Sequence, residues 1–376
     1  MKNFKVCALM AALTVCAAGC SDDKDDNNGG GSTITGGERM YILNQGSMDA
    51  NNANISLYFP STGDFTANYF TEQNGRMLGD TAQEMIQYNG YIYVALFGSN
   101  YLYKLDKDLK IVAQLALSNY EELQGGVRSI AAEDGFIYAS FYGGVIAKIN
   151  AGDLSISSND GILKGVGSNL EELVIEDDKL YVADSYSITT DPSTGAINYN
   201  YLKEVKVVDL NTFSLAGSIE VVENPNDLLE EEGKIFLISC DYSDISYPVQ
   251  MIDPKTETVT KIGYATCFDS NDGIVYMVDS RTDYSTNPYT TTNSFWSYDV
   301  KNGTVNNNSF LKNAPEDFAS ANIYMIEIDD ETGDIYISST FYTAYNGNIY
   351  HFKADGTYVG KFDCGGQNPI GALFIR

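Results

Sequence analysis

The sequence predicts an all-β protein, a seven-bladed β-propeller over residues 38–376 that follows a lipoprotein signal and a flexible tether. Three observations predict this fold. A short strand pattern occurs seven times, polar turns recur at fixed places within the repeats, and a C-terminal segment supplies the strand that the first repeat lacks. The repeat length agrees with a four-stranded propeller blade of about 40–45 residues.

The repeated pattern is an aliphatic residue, an aromatic residue and another small or aliphatic residue. Its aromatic residue recurs at steps of 52, 45, 43, 55, 40 and 60 residues. The copies are Met40-Tyr41-Ile42, Ile92-Tyr93-Val94, Ile137-Tyr138-Ala139, Leu180-Tyr181-Val182, Ile235-Phe236-Leu237, Val275-Tyr276-Met277 and Ile335-Tyr336-Ile337. Seven copies predict seven blades, with the central aromatic residues packed between them.

The second repeat shows the order of elements within a blade. It predicts strands over residues 82–88, 91–97, 101–105 and 111–117, with an Asn89-Gly90 hairpin turn between the first two. Residues 91–97 are nearly continuous in apolar side chains, which is typical of a strand that is covered on both faces.

The two ends of the chain complete the ring. The first repeat opens at its second strand, residues 40–44, and the chain ends in a strand-like segment at residues 371–375. We therefore expect the C-terminal segment to form the inner strand of the first blade, which leaves no bare sheet edge. Insertions at residues 187–201 and 282–294 follow second strands, and such insertions often form the binding face.

The first 19 residues are typical of a secretory signal. Lys2 and Lys5 precede an apolar run at residues 6–16, which is too short to span a bilayer, and Ala17-Ala18-Gly19 leads to Cys20. This ending resembles a bacterial lipobox, which implies that Cys20 is lipidated; the alternative is an ordinary signal with an incidental cysteine. Residues 20–37 are polar and glycine-rich and predict a flexible tether. The acidic run after Cys20 resembles the Bacteroidota signal for export to the outer face of the outer membrane; the alternative is a spacer on a periplasmic lipoprotein.

The amino-acid composition limits the ligands, metal sites and catalytic groups that the protein can have. With 23 Lys and Arg against 51 Asp and Glu, the net charge is −28, which argues against nucleic acid and anionic lipid as principal ligands. The single histidine, His351, excludes multi-histidine zinc sites and leaves no spare imidazole for a Ser-His-Asp triad. Calcium binding is possible, but no loop has the EF-hand spacing, so no metal is assigned. Cys240, Cys267 and Cys364 permit one disulfide and one free thiol, without indicating the pair.

One rim of the ring is the predicted ligand site. In a propeller, the loops after the second strands and the loops between blades emerge on the same face. An aromatic and amide-rich circle there suits a large, partly apolar ligand with peripheral amides. The predicted contact residues are Gln45, Asp80, Phe97, Arg128, Tyr142, Tyr186, Asn226, Tyr242, Arg281 and Tyr342. The alternatives are loop packing for the tyrosines and structural ion pairs for the two arginines.

The segments Asn44-Gln45-Gly46-Ser47 and residues 78–83, together with the sevenfold pattern, resemble a family of YncE-like propeller lipoproteins of the Bacteroidota surface. The branch of the BtuG type implies a function: capture of cobalamin above a TonB-dependent transporter of the BtuB type. The resemblance therefore implies a corrinoid as ligand, such a transporter as partner, contact with the membrane through the lipid anchor alone, and no resident cofactor.

Two other functions stay open. Glycan capture would use the same aromatic rim, although Trp296 is the only tryptophan and sugar platforms usually favour tryptophan. Propellers of similar outline also include lactonases and quinoprotein-like dehydrogenases, and a fold does not decide between functions. We expect a binding protein with no catalytic residues, because the sequence has no second histidine and no G-x-S-x-G motif.

Overall fold

A computed structural model describes residues 38–376 with the exception of residue 244. The predicted signal, the lipidation of Cys20 and the tether over residues 20–37 lie outside the described residues. No helix in the described part of the chain is long and apolar enough to cross a membrane.

The described chain forms seven four-stranded antiparallel sheets arranged as the blades of a propeller. Blade 1 combines the last strand of the chain, as its innermost strand, with the first three strands, and blades 2 to 7 each use four consecutive strands in chain order. In blades 1 to 4 the strands are β1 Arg39–Asn44, β2 Asn54–Tyr58, β3 Phe65–Thr66, β4 Ala82–Tyr88, β5 Tyr91–Leu96, β6 Tyr101–Leu105, β7 Ile111–Ala116, β8 Val127–Glu133, β9 Phe136–Phe141, β10 Val145–Asn150, β11 Ile162–Leu163, β12 Asn169–Glu176, β13 Lys179–Thr190, β14 Ile197–Asp209 and β15 Ser214–Glu220.

In blades 5 to 7 the strands are β16 Pro225–Glu231, β17 Lys234–Ser239, β18 Pro248–Asp253, β19 Thr258–Tyr264, β20 Cys267–Asn271, β21 Ile274–Asp283, β22 Thr290–Asp299, β23 Thr304–Asn306, β24 Ile323–Ile328, β25 Ile335–Ser339, β26 Asn348–Phe352, β27 Tyr358–Asp363 and β28 Pro369–Ile375. A short helix, α1 Tyr69–Asn74, and three 3₁₀ turns lie in connections between blades; the turns are Leu117–Asn119, Glu121–Leu123 and Glu316–Ser320. The predicted all-β propeller is confirmed, and every copy of the repeated pattern lies in the second strand of its blade. The predicted strands of blade 2 end within one residue of the observed ones.

The ring closes as predicted. Strand β28 pairs with β1 along its length, with Tyr41 opposite Leu373, so the last strand of the chain is the innermost strand of the first blade. This pairing leaves the second strand of blade 1 covered on both edges, because β2 pairs with its other side.

The core lies between neighbouring blades. The central aromatic residues Tyr93, Tyr138 and Tyr181 are at most 2% exposed, as predicted for packing residues. The hydroxyl of Tyr93 donates a 2.6 Å hydrogen bond to the carbonyl of Ala151 in blade 3, so this residue joins two blades through a polar contact as well as an apolar one. Burial raises the pKa of Tyr93 to about 12, which keeps that donor protonated at any physiological pH.

The two insertions extend strands instead of forming irregular loops. In blade 4, β13 and β14 stay paired from Lys179–Asp209 at one end to Thr190–Ile197 at the other. In blade 6, β21 and β22 stay paired as far as Asp283 and Thr290. Each insertion is therefore a β-hairpin continuous with its blade, and the regular hydrogen bonding gives it a defined position.

The three cysteines of the described chain and its histidine, His351, are buried. Among the described residues no disulfide forms: Cys240, Cys267 and Cys364 are buried thiols, so the disulfide that the sequence permits is absent here. His351 is 5% exposed, stacks on Tyr336 at 4.4 Å between ring centroids, and places Nε2 2.8 Å from Oδ2 of Asp334. This is a packing role, and no group of metal-ligating side chains occurs in the described part of the chain.

Candidate ligand-binding face

Two sets of loops meet on one face of the ring, as predicted. The loops between second and third strands contact the loops between blades through backbone hydrogen bonds. Examples are the amide of Ala82 to the carbonyl of Gln45 at 3.1 Å and the amide of Gly143 to the carbonyl of Ser168 at 2.8 Å. We call this side of the ring the upper face, and the side that carries the other turns the lower face.

Exposed apolar side chains are concentrated on the upper face. The described residues include 17 exposed large apolar or aromatic side chains, and 12 of them lie in upper loops, in the two long hairpins or at the upper end of a strand. These are Met48, Met77, Ile188, Ile197, Tyr199, Tyr201, Ile245, Tyr264, Tyr284, Tyr289, Phe341 and Tyr345. The other five, Phe65, Val112, Leu215, Val305 and Val359, lie singly in the outermost strands of separate blades. An apolar concentration of this kind indicates an interaction surface.

The upper face holds a cleft between the hairpin of blade 6 and the loop of blade 7 over residues 340–347. Its volume is about 670 Å³, within the range of small-molecule sites. We call it the tyrosine cleft. It is lined by Thr282, Tyr284, Tyr289, Thr290, Thr291, Ser320, Asn322, Phe341, Tyr342, Ala344 and Tyr345. No lining residue is charged, so the cleft suits an uncharged ligand.

The polar floor of the tyrosine cleft is a small hydrogen-bond network. The hydroxyls of Thr282 and Thr291 lie 2.9 Å apart, and both donate to Oδ1 of Asn322, at 2.9 and 3.0 Å. With its oxygen held in this way, the Asn322 amide group is fixed in orientation. Its nitrogen donates to no other described residue and is left for a ligand in the cleft.

Tyr342 forms part of the cleft wall in an uncommon backbone conformation. Its φ is +54°, in the left-handed region that bulky residues rarely adopt, and its amide donates to the Thr340 hydroxyl at 2.8 Å. Burial raises the pKa of Tyr342, and the nearby Tyr284 raises it further, so the phenol stays protonated.

The hairpin of blade 4 carries a second apolar surface. Across it, Ile188 is paired with Tyr199 and Thr190 with Ile197, and because alternate residues share a face these side chains stand together. The opposite face carries Ser187, Thr189, Asn198 and Asn200. Ile188, Ile197 and Tyr199 are 45–61% exposed. The hairpin is therefore amphipathic and presents its apolar side without cover from the described residues.

Four of the predicted contact residues form one cluster beneath this hairpin. The ring centroids of Phe97 and Tyr142 are 5.8 Å apart, and those of Tyr142 and Tyr186 are 6.0 Å apart, both edge to face. The guanidinium of Arg128 lies over both Phe97, at 5.4 Å, and Tyr142, at 4.7 Å. These four residues, which the sequence analysis placed among the ligand contacts, are therefore neighbours in the structure, and their role as ligand contacts stays a prediction.

Arg128 is the centre of a buried ion pair. Its Nε and Nη2 donate to Oε2 of Glu171 at 2.8 and 2.6 Å, and its Nη1 donates to Oε1 of Gln83 at 2.9 Å. Tyr142 donates to the other oxygen of Glu171 at 2.8 Å. Burial alone would lower the pKa of Arg128, but Glu171 raises it, so the pair stays charged. All the polar groups of Arg128 are thus directed at the protein, which corresponds to the structural alternative considered for it.

The other predicted contact residues are spread around the ring. Gln45 and Asn226 are buried, and Oε1 of Gln45 accepts a hydrogen bond from Tyr324 at 3.2 Å. Asp80 is half-buried and accepts a hydrogen bond from Thr81 at 2.5 Å. These three side chains lie below the exposed surface.

Three predicted residues border the exposed apolar surfaces. Tyr242 contacts Tyr201 of the blade 4 hairpin at 5.3 Å between centroids. Arg281 donates to Asp279 at 2.8 Å and lies 5.3 Å from the Tyr264 ring, at the base of the blade 6 hairpin. Tyr342 lines the tyrosine cleft itself. Tyr242, Arg281 and Tyr342 are therefore the predicted contact residues that lie beside the observed apolar surfaces.

The sequence reasoning missed the most exposed aromatic residues. Tyr284, Tyr289, Phe341 and Tyr345 are 45–73% exposed, and each lies one to three residues away from a predicted position or inside a predicted insertion. One signal could have found Tyr284 and Tyr289, namely the aromatic residues inside the predicted insertion at residues 282–294. The alternation of apolar residues inside residues 187–201 could likewise have indicated the exposed face of the blade 4 hairpin.

Comparison with known proteins supports the fold. No protein-family model and no curated protein matches the sequence. Among solved structures, the chain is similar to a quinoprotein alcohol dehydrogenase-like protein from Bacteroides thetaiotaomicron, at 16% identity and a TM-score of 0.59, over 89% of this chain and 77% of that one. It is also similar to apo AztD from Citrobacter koseri, at 11% identity and a TM-score of 0.53, over 90% and 98% of the two chains. At these identities the likeness concerns the fold alone, and the class of protein that it supports is the β-propeller.

Proposed function

We propose that the protein is a cell-surface lipoprotein that captures a large uncharged ligand on its upper face and passes it to a TonB-dependent outer-membrane transporter. The ligand we place first is cobalamin or another corrinoid. The observation that carries this proposal is the concentration of exposed aromatic side chains around a cleft of about 670 Å³ with no charged lining residue.

The chemistry of the tyrosine cleft supports that ligand class. Tyr284, Tyr289 and Tyr345 offer rigid aromatic faces, which bind apolar ligand surface at a low cost in side-chain entropy. The fixed amide of Asn322 and the hydroxyl of Tyr342 supply hydrogen bonds that would orient peripheral amide groups. A corrin ring fringed by amides combines an apolar body with such groups.

Capture of this kind needs no bond to be made or broken. The cleft has neither a carboxylate nor an imidazole among its lining residues, and the raised pKa of Tyr342 keeps that phenol protonated. The ligand would be held by stacking and hydrogen bonds, and release would follow from competition by the transporter. We accordingly propose a binding function and not an enzymatic one.

The test is a calorimetric titration of cyanocobalamin into the purified protein and into the double variant Tyr289→Ala, Tyr345→Ala. We expect one-to-one binding that the double variant weakens at least about tenfold, because truncation of an aromatic anchor costs about 1–2 kcal/mol or more. The control is Val359→Ala, a change at another exposed apolar residue, in an outermost strand, which should bind like the unmodified protein. If cyanocobalamin gives neither heat nor a shift in thermal stability, corrinoid capture is wrong.

A second candidate is capture of a neutral glycan. The specific observation in its favour is the Thr282-Thr291-Asn322 network beside exposed tyrosines, since sugar hydroxyls pair with hydroxyl and amide groups while the sugar ring stacks on an aromatic face. A glycan array probed with the unmodified protein and with the same double variant separates the two ligands. A signal that the double variant loses, combined with silence toward cyanocobalamin, would favour the glycan.

A further inference from the structure

The lower face of the ring holds a second cleft that the proposed capture function does not use. It lies between the third-to-fourth-strand segment of blade 3, residues 150–163, and the corresponding turn of blade 4, residues 210–213, and its volume is about 480 Å³. Its walls are Phe136, Ile156, Ile162, Leu163 and Phe213, and it contains one cation, Lys148. We call it the Lys148 cleft.

The ammonium group of Lys148 has no polar partner in the described residues. Its Nζ lies 4.3 Å from the centroid of the Phe136 ring, 5.7 Å from that of Phe213 and 5.8 Å from that of Tyr138. These ring faces attract the positive charge but accept none of its three N–H bonds in ordinary hydrogen-bond geometry. A half-buried ammonium with unused donors is therefore directed at whatever occupies the cleft.

Asn150 adds an amide donor beside this charge. Lys148 and Asn150 are two residues apart in β10, so their side chains leave the strand on the same side. Oδ1 of Asn150 accepts the amides of Gly152, at 2.8 Å, and Asp153, at 3.3 Å. Those bonds fix the orientation of the side chain, and its nitrogen donates to no described residue, so it is free to bind an oxygen atom in the cleft.

Phe213 forms one wall of the cleft from the third-to-fourth-strand turn of blade 4. Its φ is +46°, and the corresponding turns of blades 2, 3 and 5 also place a residue at positive φ, at Leu109, Leu154 and Glu257, so this conformation belongs to the repeated turn. The Phe213 ring packs at 6.1 Å from Tyr138 of the neighbouring blade and lies 5.7 Å from the Lys148 ammonium.

From these observations we infer that the Lys148 cleft binds a small organic monoanion, a carboxylate on an apolar body. The carboxylate binds the ammonium of Lys148 and the amide of Asn150, and the apolar body lies against Phe136, Ile156 and Phe213. Asp160 also lines the cleft and accepts a hydrogen bond from Ser157, so the formal charges of Lys148 and Asp160 cancel. A cleft with no net positive charge disfavours ligands of higher negative charge such as phosphates. This site lies on the opposite face from the tyrosine cleft and does not depend on the capture function.

The probe is benzoate, with benzyl alcohol as its uncharged analogue, and binding is measured by ligand-observed NMR titration of the purified protein. We expect saturable benzoate binding and at least tenfold weaker binding of benzyl alcohol. Lys148→Met should weaken benzoate binding about tenfold or more, the loss typical of a hydrogen bond to a charged group. Lys110→Met, which removes the same charge at an exposed position in blade 2, should leave benzoate binding unchanged.

The variant Asn150→Asp is a second test of the site, which separates loss of binding from loss of the fold in Lys148→Met. The aspartate keeps an oxygen to accept the amides of Gly152 and Asp153, so the loop geometry is retained, while its charge repels a carboxylate. We expect this variant to melt like the unmodified protein and to lose benzoate binding. Absence of saturable benzoate binding, equal affinity for benzyl alcohol, or binding that survives both Lys148→Met and Asn150→Asp would each overturn the proposal.

Discussion

Replacement of Arg128 by methionine should be among the most destabilising single changes on the upper face. Arg128 donates three hydrogen bonds, two to Glu171 and one to Gln83, and its side chain in the ion pair is only 6% exposed. Methionine fills part of the space between Phe97 and Tyr142 but leaves the Glu171 carboxylate buried without its cation. Removal of one partner of a buried pair costs about 3–5 kcal/mol.

The structure places the expected value at the lower end of that range. Glu171 keeps two hydroxyl donors after the change, from Tyr142 at 2.8 Å and from Ser185 at 3.2 Å, and these satisfy one of its oxygens. We therefore expect a loss of about 3 kcal/mol in the free energy of unfolding, measured by urea denaturation followed by circular dichroism.

Arg281→Met is the matched control, because it makes the same substitution at the other arginine of the predicted circle. Its pair with Asp279 has the arginine side chain 40% exposed, and exposed pairs contribute about 0–1 kcal/mol. The double variant Arg128→Met, Glu171→Gln removes both charges and should be more stable than Arg128→Met alone. Equal losses for Arg128→Met and Arg281→Met, or no recovery in the double variant, would refute the assignment of Arg128 to a structural ion pair.

Three further predictions concern stability and reactivity. Burial lowers the pKa of His351 below 6.5, so the native state binds fewer protons than the unfolded chain under mildly acidic conditions. The contribution of neutral His351 to the free energy of unfolding is complete above about pH 6.5 and is lost as the pH falls. The variant His351→Gln should therefore flatten the pH dependence of the free energy of unfolding between pH 7 and 5. An unchanged slope would contradict this. Burial raises the pKa of both Cys267 and Cys364 to about 12, so iodoacetamide should alkylate them only in denaturant. Peptide mass spectrometry measures the alkylation. Labelling of either cysteine in the native protein would contradict the burial of these thiols. Deletion of residues 369–376 removes β28 and exposes the edge of β1, and should abolish cooperative thermal unfolding, whereas an intact transition would show that ring closure is dispensable.

The fold could be predicted because its signals are local and repeated. Each blade has its own aliphatic-aromatic pattern and hairpin turn, and errors in one blade do not move the others. Ring closure was predictable as well, since an unpaired segment at each end leaves few alternatives: β28 pairs with β1 as the ends of the sequence indicate.

The candidate site was harder to predict because two non-local features decide which side chains are exposed. Irregular pairing in the inner strands, such as the register shift between Val127 and Ser129, turns Arg128 toward Glu171 of the next blade, and the sequence pattern carries no signal for it. In blade 4, strands β13 and β14 continue past Tyr186, so the true edge of the upper face is at Ile188 and Tyr199. The prediction counted from the expected strand end and therefore selected Tyr186 in this blade, which is 7% exposed.

The position where the chain enters the ring bears on the proposed capture function. Arg39, at the start of β1, bonds to Asp108 at 2.5 Å and to the carbonyl of Lys107 at 3.2 Å, in a third-to-fourth-strand turn of blade 2. Those turns belong to the lower face, so the described chain enters the ring on that side at Arg39. The tyrosine cleft and the blade 4 hairpin are on the opposite face. This separation favours the proposed capture function, because the proposed ligand site and the point where the chain enters the ring lie on different faces.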